Sequence, residues 1–168
     1  LALGALLVCL NPIHAADASA KELMMSALKD LKSKNYQEAI PKLEKALKKN
    51  SENQGDEKIR AYAYLMLGKT YRMIGNYTKT EPLLKQSLEI FEQQLGPNHP
   101  HTVTGLNQLA GLYSDMGVYA DAEPLYKRAL EIREEQLGPD HPDTAMSLNY
   151  LAELYRKMGN YAKAEPLY

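Results

Sequence analysis

The chain has 168 residues, with 20 Lys and Arg against 21 Asp and Glu, a net charge of -1, 45% hydrophobic residues and 24% charged ones. That balance excludes a disordered tail and a multi-span membrane protein, and it withholds the cationic surplus that nucleic-acid binding needs. Twelve tyrosines beside one phenylalanine and no tryptophan, with Leu, Ala, Glu and Lys abundant, argue against a β-sandwich or barrel and for helix.

Leu1 to Leu10 (LALGALLVCL) is an uninterrupted apolar stretch, followed by the breaker Asn11-Pro12 and the small-residue run Ala15-Ala16-Asp17-Ala18. A short apolar core, a break and an Ala-rich exit have the grammar of a secretory signal, so residues 1–16 read as a signal-peptide-like segment, with cleavage expected after Ala15 or Ala18. Ten residues rise about 15 Å as a helix, too little to span a bilayer core. The expectation is an exported protein, periplasmic or extracellular, that meets a membrane only through this transient segment. The initiating Met and a basic leader are not in the sequence, so the gene product is expected to extend further upstream. Cys9 is the single cysteine, which leaves residues 17–168 without a disulfide, a thiolate metal site or a cysteine nucleophile.

A repeat governs the rest of the chain. Tyr77–Val118 set above Tyr119–Asn160 gives 24 identities in 42 positions. EPLLKQSLEIFEQQLGPNHPHT (81–102) returns as EPLYKRALEIREEQLGPDHPDT (123–144), and a further copy begins at Tyr161. Residues 17–55 hold a degraded copy, YQEAIPKLEKAL from Tyr36, and read as an atypical N-terminal helical hairpin. Residues 56–168 form the repeat array proper, cut within a second helix at Tyr168.

Each repeat carries two helical patterns. Leu106, Leu109, Ala110, Tyr113 and Met116 recur at three-and-four spacing, as do Ala122, Leu125, Tyr126, Ala129 and Leu130. Gly117 suits the end of the first helix, Leu137-Gly138-Pro139 the end of the second, and Pro142 the opening of the next. An interior proline costs about 3 kcal/mol whereas a first-turn proline is nearly free. The second helix is therefore expected to start late, near Asp121, or to bend at Pro124 and its counterparts Pro41, Pro82 and Pro166.

The nine positions Leu106, Leu109, Ala110, Tyr113, Gly117, Tyr119, Ala122, Tyr126 and Ala129 resemble the tetratricopeptide pattern. Leu148, Leu151, Ala152, Tyr155, Gly159, Tyr161 and Ala164 repeat it. With LNxLAxLY, AEPLYKRALEIRE and LGPxHPxT, the chain is similar to tetratricopeptide repeats of the kinesin-light-chain type over about residues 56–168. The resemblance implies an all-α, right-handed α-solenoid of stacked helix-turn-helix units. It also implies a non-catalytic scaffold that binds a protein or peptide partner in its concave groove. In the resembled family, asparagines in the LNxLA position hold the backbone of an extended peptide, and basic residues meet its acidic side chains. Carried onto this chain, Asn107 and Asn149 hold the backbone and Lys69, Arg72 and Arg156 supply charge; Gly111 and Glu153 join them because the repeat signature, placed on a helix, leaves these first-helix positions between the core ones.

Against these stand plainer readings. Inner-face residues of a solenoid also serve simply to solvate the wall or bridge repeats, and the tyrosine columns (Tyr71, Tyr113, Tyr155; Tyr77, Tyr119, Tyr161) read as core. His99 and His141, one repeat apart, read as linker and helix-entry residues, because ligands on successive rungs lie about 10 Å apart and cannot share a zinc ion. No phosphate loop, nucleophile elbow or paired carboxylate occurs, so neither catalysis nor a cofactor or metal is expected. Two alternatives to the scaffold remain open on sequence grounds. The array could be the regulatory arm of a longer effector with a peptidase or nucleotide-hydrolysing domain, as in bacterial proteins with similar arrays. It could also self-associate through its uncapped C-terminal helix.

Overall fold

The computed structural model describes residues 15–52 and 55–168. The signal-like segment therefore lies outside the described residues, apart from the backbone of Ala15 and Ala16 at the start of the first helix. In chain order the helices are α1 (Ala15–Lys32), α2 (Tyr36–Glu52), α3 (Glu57–Met73), α4 (Tyr77–Leu95), α5 (Pro100–Asp115), α6 (Tyr119–Leu137), α7 (Pro142–Lys157) and α8 (Tyr161–Ala164). A single 3-10 turn, Glu165–Leu167, comes last. Each helix packs on the next, and α1, α3 and α5 also touch directly, which is the contact pattern of stacked hairpins. The fold is the expected all-α solenoid, with no strand among the described residues.

Every hairpin turn closes in the same way. Gly117 N–H bonds to Ser114 C=O at 3.2 Å and Val118 N–H to Tyr113 C=O at 2.8 Å, with Gly117 at φ 75°. This pair of bonds satisfies two carbonyls that the helix end would otherwise leave open. The same pairs form at Gly75-Asn76 and Gly159-Asn160. Small residues then let the two helices of a hairpin approach closely. At Gly68 a Cβ would stand 2.8 Å from Leu84 Cδ2, so a side chain there would displace Leu84 from its place against α3.

The core runs without a break from Ala20 in α1 to Ile132 in α6, and a second cluster from Ala110 to Ala164 continues it. Phe91, the one phenylalanine, is fully buried. Burying a side chain of that size contributes about 1.5–3 kcal/mol. The first tyrosine column is core with its hydroxyls at the edge, as the sequence suggests. Tyr113 donates to Glu81 at 3.0 Å and Tyr155 to Glu123 at 2.8 Å, each tying a first helix to the preceding second helix. In the degraded copy Ile40 stands where Glu81 and Glu123 stand, and Tyr71 instead donates to Glu44, one turn along, at 2.8 Å. Lys85, and then Tyr113, hold the Glu81 carboxyl below its usual range.

The prolines do not delay the second helices. The helices α2, α4 and α6 begin at Tyr36, Tyr77 and Tyr119, five residues before Pro41, Pro82 and Pro124. The expected late start near Asp121 is therefore corrected. The reason is the face on which the prolines lie. Each proline is exposed, and so is the residue four earlier whose carbonyl loses its donor: Gln37, Thr78 and Ala120. A carbonyl on so exposed a turn is open to hydration, which lowers the cost of an interior proline.

The linkers are locked by the residues that made them recognisable. Thr102 Oγ1 donates to Gly96 C=O and Thr144 Oγ1 to Gly138 C=O, each at 2.8 Å. His99 and His141 are the N-caps of α5 and α7, their Nδ1 atoms accepting from His101 N–H at 3.2 Å and Asp143 N–H at 3.1 Å.

Candidate functional site

Between the first helices α3, α5 and α7 lies a cavity of about 210 Å³. Its wall takes Arg72 from α3, then Asn107, Gln108, Gly111, Ser114 and Asp115 from α5. Tyr126 of α6 and Tyr150, Glu153, Leu154 and Lys157 of α7 complete it. Of the residues singled out in the sequence, Arg72, Asn107, Gly111 and Glu153 thus converge.

Asn107 is 7% exposed, and its Oδ1 has no hydrogen-bond partner. A buried acceptor left unpaired costs about 1–3 kcal/mol, so such an atom in a cavity wall calls for a donor from outside. In the cavity wall the rings of Tyr126 and Tyr150 stack at 5.8 Å and 23°. Burial pushes the Tyr126 hydroxyl up to about 12, so it stays protonated at any physiological pH.

Arg72 serves the wall itself rather than open solvent. Its Nε donates to Asp115 Oδ2 at 2.7 Å, and its guanidinium lies flat over Gly111, where a Cβ would come within 2.6 Å of Nη1. A side chain at Gly111 would therefore displace the guanidinium from this place. Lys157 reaches the same carboxylate from α7, at 3.4 Å, and Ser114 Oγ at 3.2 Å. Asp115 is bracketed by two cations from the repeats on either side.

Three sequence candidates lie outside this cavity. Lys69 is half-buried on α3, its ammonium pKa lowered by burial and then by neighbouring Arg72. Asn149, the counterpart of Asn107 one repeat on, is exposed on α7. Arg156 is exposed and tied to Glu153 of its own helix by two bonds of 2.7 Å. Sequence reasoning passed over Gln108, Asp115, Tyr126, Tyr150 and Lys157. Only Asp115 and Lys157 carried a signal, as opposite charges at one repeat position, just before Met116-Gly117 and Met158-Gly159. Among the described residues no three His, Cys, Asp or Glu side chains converge to hold a metal ion.

Comparison with known proteins places this geometry. The tetratricopeptide repeat profile matches residues 22–93, 61–117 and 102–168. Nephrocystin-3 of Mus musculus is 47% identical over 70 residues, and that of Xenopus laevis 39% over 71. Each alignment covers 40% of this chain and only 5–6% of the relative's length. Among solved structures, BtubC (BKLC) from P. vanneervenii aligns with a TM-score of 0.83 at 23% identity, over 92% of this chain and 62% of its own. A P. anserina chain of kinesin-light-chain type with nearly identical TPR-like repeats aligns at 0.81 and 22%, over 92% of this chain and 74% of its own. A Rap protein complexed with competence and sporulation factor aligns at 0.75 and 19%, over 89% and 40%. With the family profile covering the chain from residue 22 to its last residue, and with these neighbours sharing the fold, the chain belongs to the tetratricopeptide repeat family.

Proposed function

We propose that the chain is a non-catalytic interaction scaffold that holds an extended segment of a partner protein along its concave face, between α5 and α7. The observation that carries this reading is the unpaired, buried Oδ1 of Asn107 in the cavity wall. A peptide backbone N–H is the donor it lacks. The Tyr126–Tyr150 pair offers a flat apolar surface for a side chain beside that backbone, and Lys69 adds positive charge one turn from Arg72. The Rap neighbour, complexed with its factor, supports use of such a solenoid for capture. Asn149 keeps a part only as an outer contact, since it is exposed beyond the cavity.

The N-terminal segment supports an exported protein, acting outside the cytoplasm. A second reading, in which the array is the regulatory arm of a longer effector, is supported by the far greater length of the Nephrocystin-3 relatives and uses the same groove.

The test is Asn107→Leu, which copies the residue the preceding repeat has at this position, Leu65. On an array of extended peptides, capture is expected to fall at least about tenfold, which is a loss of about 1.4 kcal/mol. Thermal stability should hold or rise, because an unpaired buried acceptor is removed. Undiminished capture by a folded variant would overturn the groove assignment.

A further inference from the structure

Asp115 is the one acid in its column of first-helix positions: the corresponding residues of the other repeats are Lys32, Met73 and Lys157. It receives a cation from the repeat on either side. Arg72 Nε donates to its Oδ2 at 2.7 Å, and Lys157 Nζ to its Oδ1 at 3.4 Å. The remainder of the Arg72 guanidinium is engaged too, with Nη1 directed at Gln108 Oε1 at 3.5 Å and the flat face over Gly111. Glu153, the other acid of the cavity wall, is bonded twice to Arg156 of its own helix. Two cations and two carboxylates therefore line the cavity, and each already has a partner within the chain. The buried polar atom left without one, Asn107 Oδ1, is uncharged.

This balance decides what kind of side chain the cavity accepts. A ligand carboxylate arriving here would meet the like charge of Asp115 and find the donors of Arg72 and Lys157 taken. It would have to push Asp115 aside, exchanging one carboxylate for another after losing its own water, which yields no net attraction. A ligand cation would face Arg72 and Lys157 and find both carboxylates paired. An uncharged side chain meets neither obstacle, and the rings of Tyr126 and Tyr150 with Leu154 give it apolar surface. Resting on the groove reading above, we propose that Asp115 is a specificity-determining residue. Its carboxylate occupies the place where a ligand carboxylate would bind, so the segment held between α5 and α7 seats an uncharged side chain in the cavity. Without that charge, the same two cations turn the cavity into a site for an acidic side chain.

The experiment is an aspartate scan of a peptide that the full chain captures from the array, each residue being replaced in turn by Asp and by the near-isosteric Asn. With the parent, Asp is expected to weaken capture at least about tenfold relative to Asn at the position seated in the cavity. With Asp115→Asn, the ratio of Asp to Asn capture at that position should rise at least about tenfold, the size of one regained hydrogen bond to a charged group, and the gain should fade in high salt. Asp115→Ala should shift the ratio in the same direction, because a lost charge and not a new amide is the cause. A clasp that served only to stiffen the array would alter capture of both peptides alike and leave the ratio as it was. Capture that needs Asn107 but tolerates Asp as well as Asn at every position, or shows the same ratio with parent and Asp115→Asn, would overturn this proposal and leave the groove reading standing. Capture indifferent to Asn107→Leu would overturn the groove reading, and this proposal with it.

Discussion

Lys34 stands where the later repeats have a turn glycine, and it adopts φ 59°, close to the 76°, 75° and 73° of Gly75, Gly117 and Gly159. Its turn also forms the same two closing bonds, Lys34 N–H to Leu31 C=O at 3.1 Å and Asn35 N–H to Asp30 C=O at 2.8 Å. The hydrogen bonding of the motif thus forces an exposed lysine into the left-handed region, at a cost of about 1 kcal/mol. Lys34→Gly should recover about that much, read as a higher urea midpoint at unchanged slope. A lower midpoint would mean that the lysine side chain stabilises the turn by a contact outweighing the backbone strain. Single residues also show what sequence could and could not reveal. Asn107 is conspicuous as a poor helix former in mid-helix, and it is buried in the cavity wall. Asn149 carries the same signal, yet it is exposed. The difference is set by neighbours: the wall around Asn107 draws on α3, α6 and α7, whereas α7 has no following first helix among the described residues.

At the scale of elements, α5 begins in a cluster found in no other described repeat. His99 caps the helix through Nδ1, and His101 stacks on His99 at 5.1 Å and on Phe91 at 5.7 Å, with Tyr62 edge-on at 4.9 Å. In the next repeat the counterparts of Phe91 and His101 are Arg133 and Asp143, and Arg133 binds Asp143 C=O at 2.7 Å and Ser147 Oγ at 3.0 Å. Burial, and then Lys58, lower the His99 pKa; burial, and then His99, lower that of His101. Below about pH 6.5 the unfolded chain therefore takes up protons that the folded chain resists. The contribution of these histidines is complete above that pH and is lost as pH falls through the lowered folded values. The urea midpoint should hold from pH 8 to about 7 and decline toward about pH 5, above the range where carboxylates such as Glu81 begin to matter. His99→Asn keeps a capping acceptor without a titrating ring and should make the acid limb shallower. An unchanged limb would exclude the cap as its origin. The helices themselves were largely legible, because apolar spacing, Gly-Pro linkers and histidine-proline entries all agreed. Their second-helix starts were not, since proline rules refer to an average environment and these prolines lie on an exposed face open to hydration.

At the scale of the molecule, a solenoid is held by contacts between neighbouring repeats, and stability is close to a sum of hairpin and interface contributions. Arg72, Asp115 and Lys157 form a clasp across three successive first helices, through partners 42 and 43 residues apart in sequence. Spacing alone could not show this clasp. The repeat pattern places the three residues on one edge, but whether a guanidinium reaches a carboxylate depends on superhelical pitch and on the absence of a side chain at Gly111. Arg72 and Asp115 are about a quarter exposed, so their coupling belongs near the upper end of surface ion pairs, about 1 kcal/mol. A double-mutant cycle of Arg72→Met with Asp115→Asn should return that value, and it should shrink in high salt. Asp115→Asn also loosens Lys157, so its effect should extend beyond the local contact. The α7–α8 end should then exchange its amide hydrogens faster than α3–α4 does, since the clasp is one of the contacts, beside the Tyr155–Glu123 and Arg133–Ser147 bonds and the apolar cluster, that join it to the rest. A coupling near zero, with uniform exchange along the array, would show that apolar packing alone transmits order from repeat to repeat. The clasp would then serve only to shape the cavity wall.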